Sequence, residues 1–530
     1  MPAPNFYTTL GTKGYTPCRM LFLATLALYL VAIPFSKFMM SLAGVILAFN
    51  WFLEGFIEKN IRQKIVQAAK SKILWAVLLL YLVHLLWFIS STNISYAFKD
   101  IWIKVPLFFI PIIFCTSKPL SREEVRILLY IYVLGVLFSS LFGFFHHLNH
   151  GFDDKRQMAV YISYVRFELN ICFAIFVSFY LLLQKNKVIG LKIFAFLSLI
   201  WFVFLLFYAG LMTSLILLII ISFIFILKTA VERKNPLIRW GVPTIFFAIL
   251  GGLFLWIFIM AKNYFTVPSF DAEKVEYTAD GNAYNMNFDM RYVENGNYVY
   301  AYVCESELRQ AWNSRSQKDY GEVSETVIRY LNSKGLHKDR LAVESLSDNE
   351  IATIENDIAN IAYTNKFSVV KRIHELFFEI NDYRQTGTVV GYSFAQRLEL
   401  WKMSLSLIPK HFLLGVGTGD VKDAFAKELE TQDSPLAFSN KRSHNQYFTF
   451  AIAFGVVGLA LILFSIFYPV IVSKKLKEPL FLIFFILVLF SMLTEDSLEP
   501  QDGATLFAFF YSFFLFLVQN REKPVTDLNL

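Results

Sequence analysis

An all-α polytopic membrane protein of about twelve transmembrane helices, with a small α+β insert in one large outer loop before the tenth helix, is the fold class these 530 residues predict. Three observations carry that prediction. Hydrophobic residues make up 56% of the chain and charged residues 17%, where soluble domains carry about 45–50% and about 25%. Apolar runs recur at the length of about 17–25 residues that a helix needs to cross a bilayer. Lys and Arg alternate from loop to loop. With 57 Phe and 26 Tyr and a mean hydropathy of +0.49, the chain holds more apolar surface than a water-soluble core can hide, so lipid must cover part of it. A cytosolic enzyme, a secreted enzyme and a disordered scaffold are excluded.

The runs lie near 20–36, 38–56, 73–91, 102–117, 126–147, 167–184, 193–209, 211–228, 241–261, 445–472, 479–494 and 504–519. The first follows a polar stretch without a small-residue cleavage site and reads as a retained span. With the N-terminus inside, 22 Lys and Arg fall in cytoplasmic segments and six in the opposite short loops (Lys37, Lys99, Lys104, Lys155, Arg156 and Arg166). That bias sets the orientation and predicts an inside C-terminus. The spans therefore divide as 1–261 (helices one to nine) and 443–530 (helices ten to twelve). The net charge of +7 is a topology signal, and no nucleic-acid partner is expected. Cys18, Cys115, Cys172 and Cys304 lie far apart, with neither a CxxC nor a zinc spacing.

The segment 262–442 holds 21 Lys and Arg against 26 Asp and Glu and is the one long outer loop. Between 273 and 303 polar residues alternate with Tyr, Val and Met, and Asp280-Gly281 and Asn295-Gly296 supply hairpin turns. Beyond Cys304 the period becomes helical: Ser324 to Asn332 closing at Gly335, Ser347 to Ile361 with Asp348 and Glu350 in its first turn, and Ser368 to Tyr383. Residues 265–390 thus form the α+β insert. Within 392–442, Leu398, Trp401, Met403, Leu405 and Leu407 give an amphipathic helix along the membrane surface that Pro409 ends.

Intramembrane charges mark function by default, and past the ends of the spans only His84 and Glu168 stand as candidates within the apolar runs. An ion-coupled transporter needs midplane charges and broken helices, and the sequence signals little of either. Polar chemistry gathers instead at the outer face. Ser163-Tyr164-Val165-Arg166-Phe167-Glu168 starts the sixth span. Arg397-Leu398-Glu399-Leu400-Trp401 precedes Pro409-Lys410-His411 and Gly415-Val416-Gly417-Thr418-Gly419-Asp420. Ser443-His444-Asn445-Gln446-Tyr447 leads into the tenth span, with Gly455 and Gly458 further along it.

Arg-x-x-x-Trp, a Gly-Val-Gly-Thr-Gly run, and His-Asn followed after nine residues by Gly-x-x-Gly resemble the O-antigen ligase/polymerase family of lipid-linked glycan transferases, in its ligase form. About twelve spans and a large outer loop before the His-bearing helix agree with it. The resemblance covers roughly 160–470. It implies a bacterial inner-membrane glycosyltransferase that moves a glycan from undecaprenyl diphosphate to an acceptor sugar hydroxyl, in ligases one of the lipid A core, at the periplasmic face and without cofactor or metal. His suits a base near neutral pH, and Arg suits a diphosphate leaving group. His444 is assigned as base and Arg397 and Arg166 to the diphosphate, with Asn445, Trp401, Tyr164, Glu495 and Lys410 as substrate contacts. The family's further Arg, in the short outer turn between spans seven and eight, has no counterpart in Tyr208-Ala209-Gly210-Leu211-Met212-Thr213-Ser214. Arg166, at the same level, is the candidate to replace it.

Bland alternatives stand beside these roles. His444, Arg397 and Arg166 are also residues that belong at a membrane interface. The glycine run lacks the context of a P-loop or dinucleotide fingerprint and reads as a structural turn. His146 and His150, with His147, Asp153 and Asp154, have metal-ligand spacing. The acidic loop Thr494 to Gly503 is either a solvated face or, through Glu495, an aid to His444 or the acceptor sugar. A polymerase would use the same donor with a second lipid-linked glycan as acceptor, a transporter or flippase would move that glycan, and an assembly scaffold would need neither His444 nor Arg397.

Overall fold

The computed structural model describes residues 16–151, 155–184, 188–231, 235–267, 275–286, 292–364, 368–437, 439 and 441–519. Each of the twelve apolar runs is helical along most of its length. In order they give α1 (Pro17–Ala32), α2 (Lys37–Ile57), α3 (Ile61–Lys70), α4 (Lys72–Leu86), α5 (Ile94–Ile103), α6 (Pro106–Thr116), α7 (Arg122–His150), α8 (Tyr164–Leu183), α9 (Ile189–Ala209), α10 (Met212–Val231) and α11 (Pro236–Phe265). After the long polar segment come α19 (Gln446–Val472), α20 (Pro479–Thr494) and α21 (Gln501–Ser512). Six described helices are long and apolar enough to cross a membrane, the pair α3 and α4 is bent by 81°, and four shorter apolar helices accompany them.

The described residues fall into two compact units, one of Met1–Leu206, Thr213–Ile221 and Arg397–Leu530, the other of Phe207–Met212 and Ser222–Gln396. In the first, α19 packs along α4, α1 against α2 and α7, and α21 against α6. Its interior is aromatic. Phe510 meets Tyr132 at 5.0 Å and Phe173 at 5.1 Å between ring centroids, and Phe509 stacks on Tyr29 at 5.0 Å. Edge-on and offset ring pairs of this kind contribute beyond their buried area, which gives the high Phe content a packing role as well as a lipid-facing one.

The second unit contains α11, none of whose apolar window is buried, and a folded polar region. The Asn295-Gly296 turn forms as expected, with φ of 52° and 75°, joining β1 (Val293–Glu294) to β2 (Asn297–Tyr298). Helices α12 (Glu305–Arg315), α13 (Tyr320–Ser333), α14 (Arg340–Glu344) and α15 (Asp348–Glu355) close around Trp312, Leu331, Val343 and Ile354. Ser347 and Glu350 make a capping box at the start of α15, and α16 (Ser368–Thr386) follows. Apart from isolated bridges, the two-residue hairpin is all the sheet that the described residues contain, so the β part is smaller than the alternation suggested. Helix α17 (Ser393–Lys410) runs one residue past Pro409, and α18 (Val421–Thr431) lies beyond the glycine run.

Two local readings are corrected. The run 102–117 is not one helix: α5 stops at Ile103, and Pro106, which has no N–H to lose, opens α6. Lys104, counted above as an outer-loop cation, sits in that break fully buried, its Nζ 2.6 Å from Asp100 Oδ1 and 3.1 Å from Glu499 Oε2. Helix α19 is also broken, at Gly455 (φ 63°, ψ −170°). The backbone groups freed there are taken up by residues 412–417, which lead into the glycine run and include its start. Val456 N–H donates to Phe412 O at 2.8 Å, while Val416 and Gly417 N–H donate to Ile452 O and Ala453 O at 2.9 and 2.8 Å. A Cβ on Gly455 would lie 2.3 Å from Leu413 backbone atoms, and one on Gly415 would lie 2.4 Å from Ala453 and Phe454. The spacing of His444 to Gly455 therefore fixes how far the helix runs before another stretch of backbone crosses it.

The glycine run is the structural turn it was read as. Asp420 accepts from Thr92 N–H and Asn93 N–H, both at 2.7 Å, and Thr418 Oγ1 donates to His84 O at 2.7 Å. These bonds tie the run to the end of α4 and the start of α5.

Candidate functional site

The segment Thr494 to Asp502, between α20 and α21, gathers three of the cations and histidines singled out in the sequence. Arg166, in the first turn of α8, is buried and donates through Nη2 to Asp496 O at 3.1 Å and Ser497 O at 2.7 Å. Arg397, on α17, donates through Nε to Thr494 O at 3.2 Å, a carbonyl at the negative end of α20. His444 lies with Nδ1 3.4 Å from both carboxylate oxygens of Glu495. Gly503 makes the wrapping possible, because a Cβ there would lie 1.8 Å from Ser497 O and 2.9 Å from Arg166 Nε and Nη2.

His444 has a φ of 48°. A non-glycine residue in the left-handed region costs about 1–3 kcal/mol and persists where its surroundings over-determine it. Here they do. His444 N–H donates to Asp496 Oδ2 at 3.2 Å. Asp496 Oδ1 accepts from Thr449 Oγ1 at 2.6 Å and Ser443 Oγ at 3.3 Å. Asn445 then caps α19, its Oδ1 accepting from Tyr447 N–H at 3.0 Å and Phe448 N–H at 3.2 Å. The side-chain oxygen of Asn445 is thus engaged in starting the helix.

The charges converge as well as the geometry. Burial alone would push the Glu495 carboxyl up, but the hydrogen bond and charge of His444, with Arg166 and Arg397, hold it below the usual carboxylate range. Burial pushes Asp496 up. Beside the cluster, Arg442 pairs with Glu499 and donates to Tyr96 OH, and Gln446 Nε2 donates to Glu499 Oε1 at 2.9 Å. Asp502 accepts from Ser163 N–H at 3.2 Å and so anchors the start of the Arg166 helix.

The remaining predicted contacts are placed less uniformly. Tyr164 opens α8 two residues before Arg166. Trp401 is one turn beyond Arg397 on α17, its ring edge-on to Phe448 at 6.2 Å and its buried Nε1 without a hydrogen-bond partner. Lys410 pairs with Glu428 on α18 instead. Ser214, in the first turn of α10, donates to Glu168 O at 2.9 Å, which brings the helix that begins the eighth run beside the helix bearing Arg166. Among the described residues no three His, Cys, Asp or Glu groups come together as a metal set. The rings of His146 and His150 lie 4.1 Å apart, while Asp153 and Asp154 fall outside the described residues.

Sequence reasoning singled out Glu495 from the acidic loop and missed its neighbours. Asp496 and Asp502 are buried and Glu499 nearly so, which overturns the reading of this loop as a solvated face. Four acids opposite candidate cations were the available signal.

The sequence model of the O-antigen ligase family matches residues 361–463. Over this stretch the chain is similar to the O-antigen ligase family. The matched segment includes Arg397, Trp401, the glycine run, His444, Gly455 and Gly458, whereas Arg166 and the acidic segment 494–503 lie outside it. No curated protein matches the chain.

Proposed function

We propose that the protein is an O-antigen ligase acting at the periplasmic face of the bacterial inner membrane, with both termini cytoplasmic. It transfers a glycan from undecaprenyl diphosphate to a sugar hydroxyl, that of the lipid A core. The observation that carries this reading is the docking of His444, Arg166 and Arg397 on one short segment, Thr494 to Ser497, with Glu495 paired to His444. Glu495 holds Nδ1, so Nε2 is the nitrogen that takes the acceptor's proton. The acceptor oxygen attacks C1 of the donor sugar, the C1–O bond breaks, and its electron pair leaves on the diphosphate. Arg166 and Arg397 stabilise the charge that grows there, and the proton rests on His444 until solvent or the departing phosphate takes it. An acceptor hydroxyl, a weak nucleophile at neutral pH, gains about 10²–10⁴ in rate from such a base.

The test is a gel of surface lipopolysaccharide from a host deleted for this gene and complemented with wild type or His444→Ala. Ligase activity predicts loss of every core-attached repeat in the deletion and with His444→Ala, with full-length polymer accumulating on the carrier. A core bearing a single repeat would make the protein a polymerase of the same chemistry. An unchanged ladder in the deletion strain would overturn both.

A further inference from the structure

Glu499 lies four residues beyond Glu495 and belongs to none of the steps above, yet it is among the most heavily engaged side chains in the molecule. Its Oε2 takes Arg442 and, at 3.1 Å, Lys104; its Oε1 accepts from Gln446 Nε2 at 2.9 Å. Gln446 in turn accepts Leu498 N–H through Oε1 at 2.7 Å, so its amide is bonded at both ends to the 498–499 turn. Lys104 is fully buried and held on its other side by Asp100 at 2.6 Å. Arg442 reaches Tyr96 OH with its other terminal nitrogen. Two cations, Lys104 and Arg442, thus face two carboxylates, Asp100 and Glu499, in a buried set whose charges balance.

The spacing is what gives this set a purpose. Arg442 is two residues before His444 and Gln446 two residues after it. One carboxylate therefore grips the chain on both sides of the residue in the left-handed conformation. The same turn presents Glu495 and Asp496 to the His444 ring and backbone. Stability alone would be as well supplied by apolar residues of the same volume, since a buried ion pair roughly breaks even against them. A carboxylate that spans His444 supplies position. Burial would raise the Glu499 carboxyl, yet Lys104 and Arg442, then His84 and the Gln446 amide, hold it well below the usual carboxylate range, so both oxygens remain acceptors.

Resting on the ligase reading of this site, we infer that Glu499 is a positioning residue for the transfer reaction: through Arg442 and Gln446 it holds His444 in register with Glu495, and Lys104 and Asp100 anchor it to the end of α5.

The experiment uses purified full-length protein in lipid nanodiscs with an undecaprenyl-diphosphate-linked glycan and a lipid A core acceptor, following kcat, KM and the thermal unfolding midpoint. Glu499→Gln leaves a buried cation unbalanced, so it is paired with Lys104→Met/Glu499→Gln, which removes one charge of each sign. Gln446→Met loosens one arm without any charge change. The double variant is expected to unfold within a few degrees of wild type while kcat falls about 10²-fold, the loss that a misplacement of about 1 Å brings, with donor KM nearly unchanged. Gln446→Met is expected to lower kcat about 10-fold at an unchanged midpoint. Both variants turning over within about threefold of wild type would overturn the inference, because by the same principle a merely structural role leaves the rate of folded protein untouched. The ligase reading is judged separately in the same assay: if wild type transfers nothing, or His444→Ala matches it, that reading falls and the inference falls with it.

Discussion

Two regions of the molecule bury charged side chains, and they complete them differently. In the polar region 292–364, Glu294 takes Arg329 bidentately at 3.0 and 3.2 Å and Asn360 at 2.7 Å. Among its described residues no buried side-chain nitrogen or oxygen lacks a partner. Around Thr494 to Asp502 the charges are as deeply buried, but polar atoms on both sides remain unused: Arg166 Nε, Arg442 Nε, Trp401 Nε1 and Glu168 Oε2 have no hydrogen-bond partner. Buried donors are almost always satisfied, and leaving one unpaired costs about 1–3 kcal/mol. A finished network stabilises a fold, whereas unpartnered buried polar atoms mark a place where stability has been given up.

That difference can be broken or sharpened by substitution. The largest effect is expected from His444→Ala, which should lower transfer by about 10²–10⁴ with little change in the unfolding midpoint. Arg329→Met should do the reverse. It strands Glu294 in the interior at a cost of about 3–5 kcal/mol, seen as faster amide exchange across 292–364, while protein that remains folded transfers normally. Gly455→Ala forces a Cβ into Leu413 at a strained φ and should cost about 2–5 kcal/mol, read as a lower unfolding midpoint. Arg397→Met and Arg166→Met should each lower kcat by about 10²–10³. Arg166→Met should also move the acid limb of the pH–rate profile upward. Glu495 is held low partly by Arg166, so its anionic form survives as pH falls through the ordinary carboxylate range; without that charge the pKa rises and the form is lost at higher pH. The smallest effect belongs to Lys410→Ala. Its half-exposed pair with Glu428 is a surface ion pair worth about 0–1 kcal/mol, and kcat should stay within about threefold.

The helices were legible because apolar length and the 3.6-residue period are local properties. So were the Asn295-Gly296 hairpin and the start of α15 at Ser347, which depend on residues a few positions apart. His444, Arg397, Arg166 and Glu495 could be singled out as candidates from motif and position, and the structure brings them to one segment. The partners of the site could not be. Lys104 and Glu499 are 395 residues apart in sequence, and nothing local in either stretch records the pairing. Acids in a short loop between apolar runs read equally well as a solvated face until Arg166 and Arg442 are seen to lie against them. The break at Gly455 was invisible for a related reason. Hydropathy runs unbroken from 445 to 472, and the backbone that crosses the helix comes from 412–417.

The proposal that His444, Arg166 and Arg397 serve glycan transfer is tested most directly with purified protein, an undecaprenyl-diphosphate-linked glycan and a lipid A core acceptor in one bilayer, comparing wild type with His444→Ala at saturating donor. The account predicts core-linked glycan and free carrier diphosphate from wild type, and donor bound but unconverted with His444→Ala. Product formed at the wild-type rate by His444→Ala would contradict it.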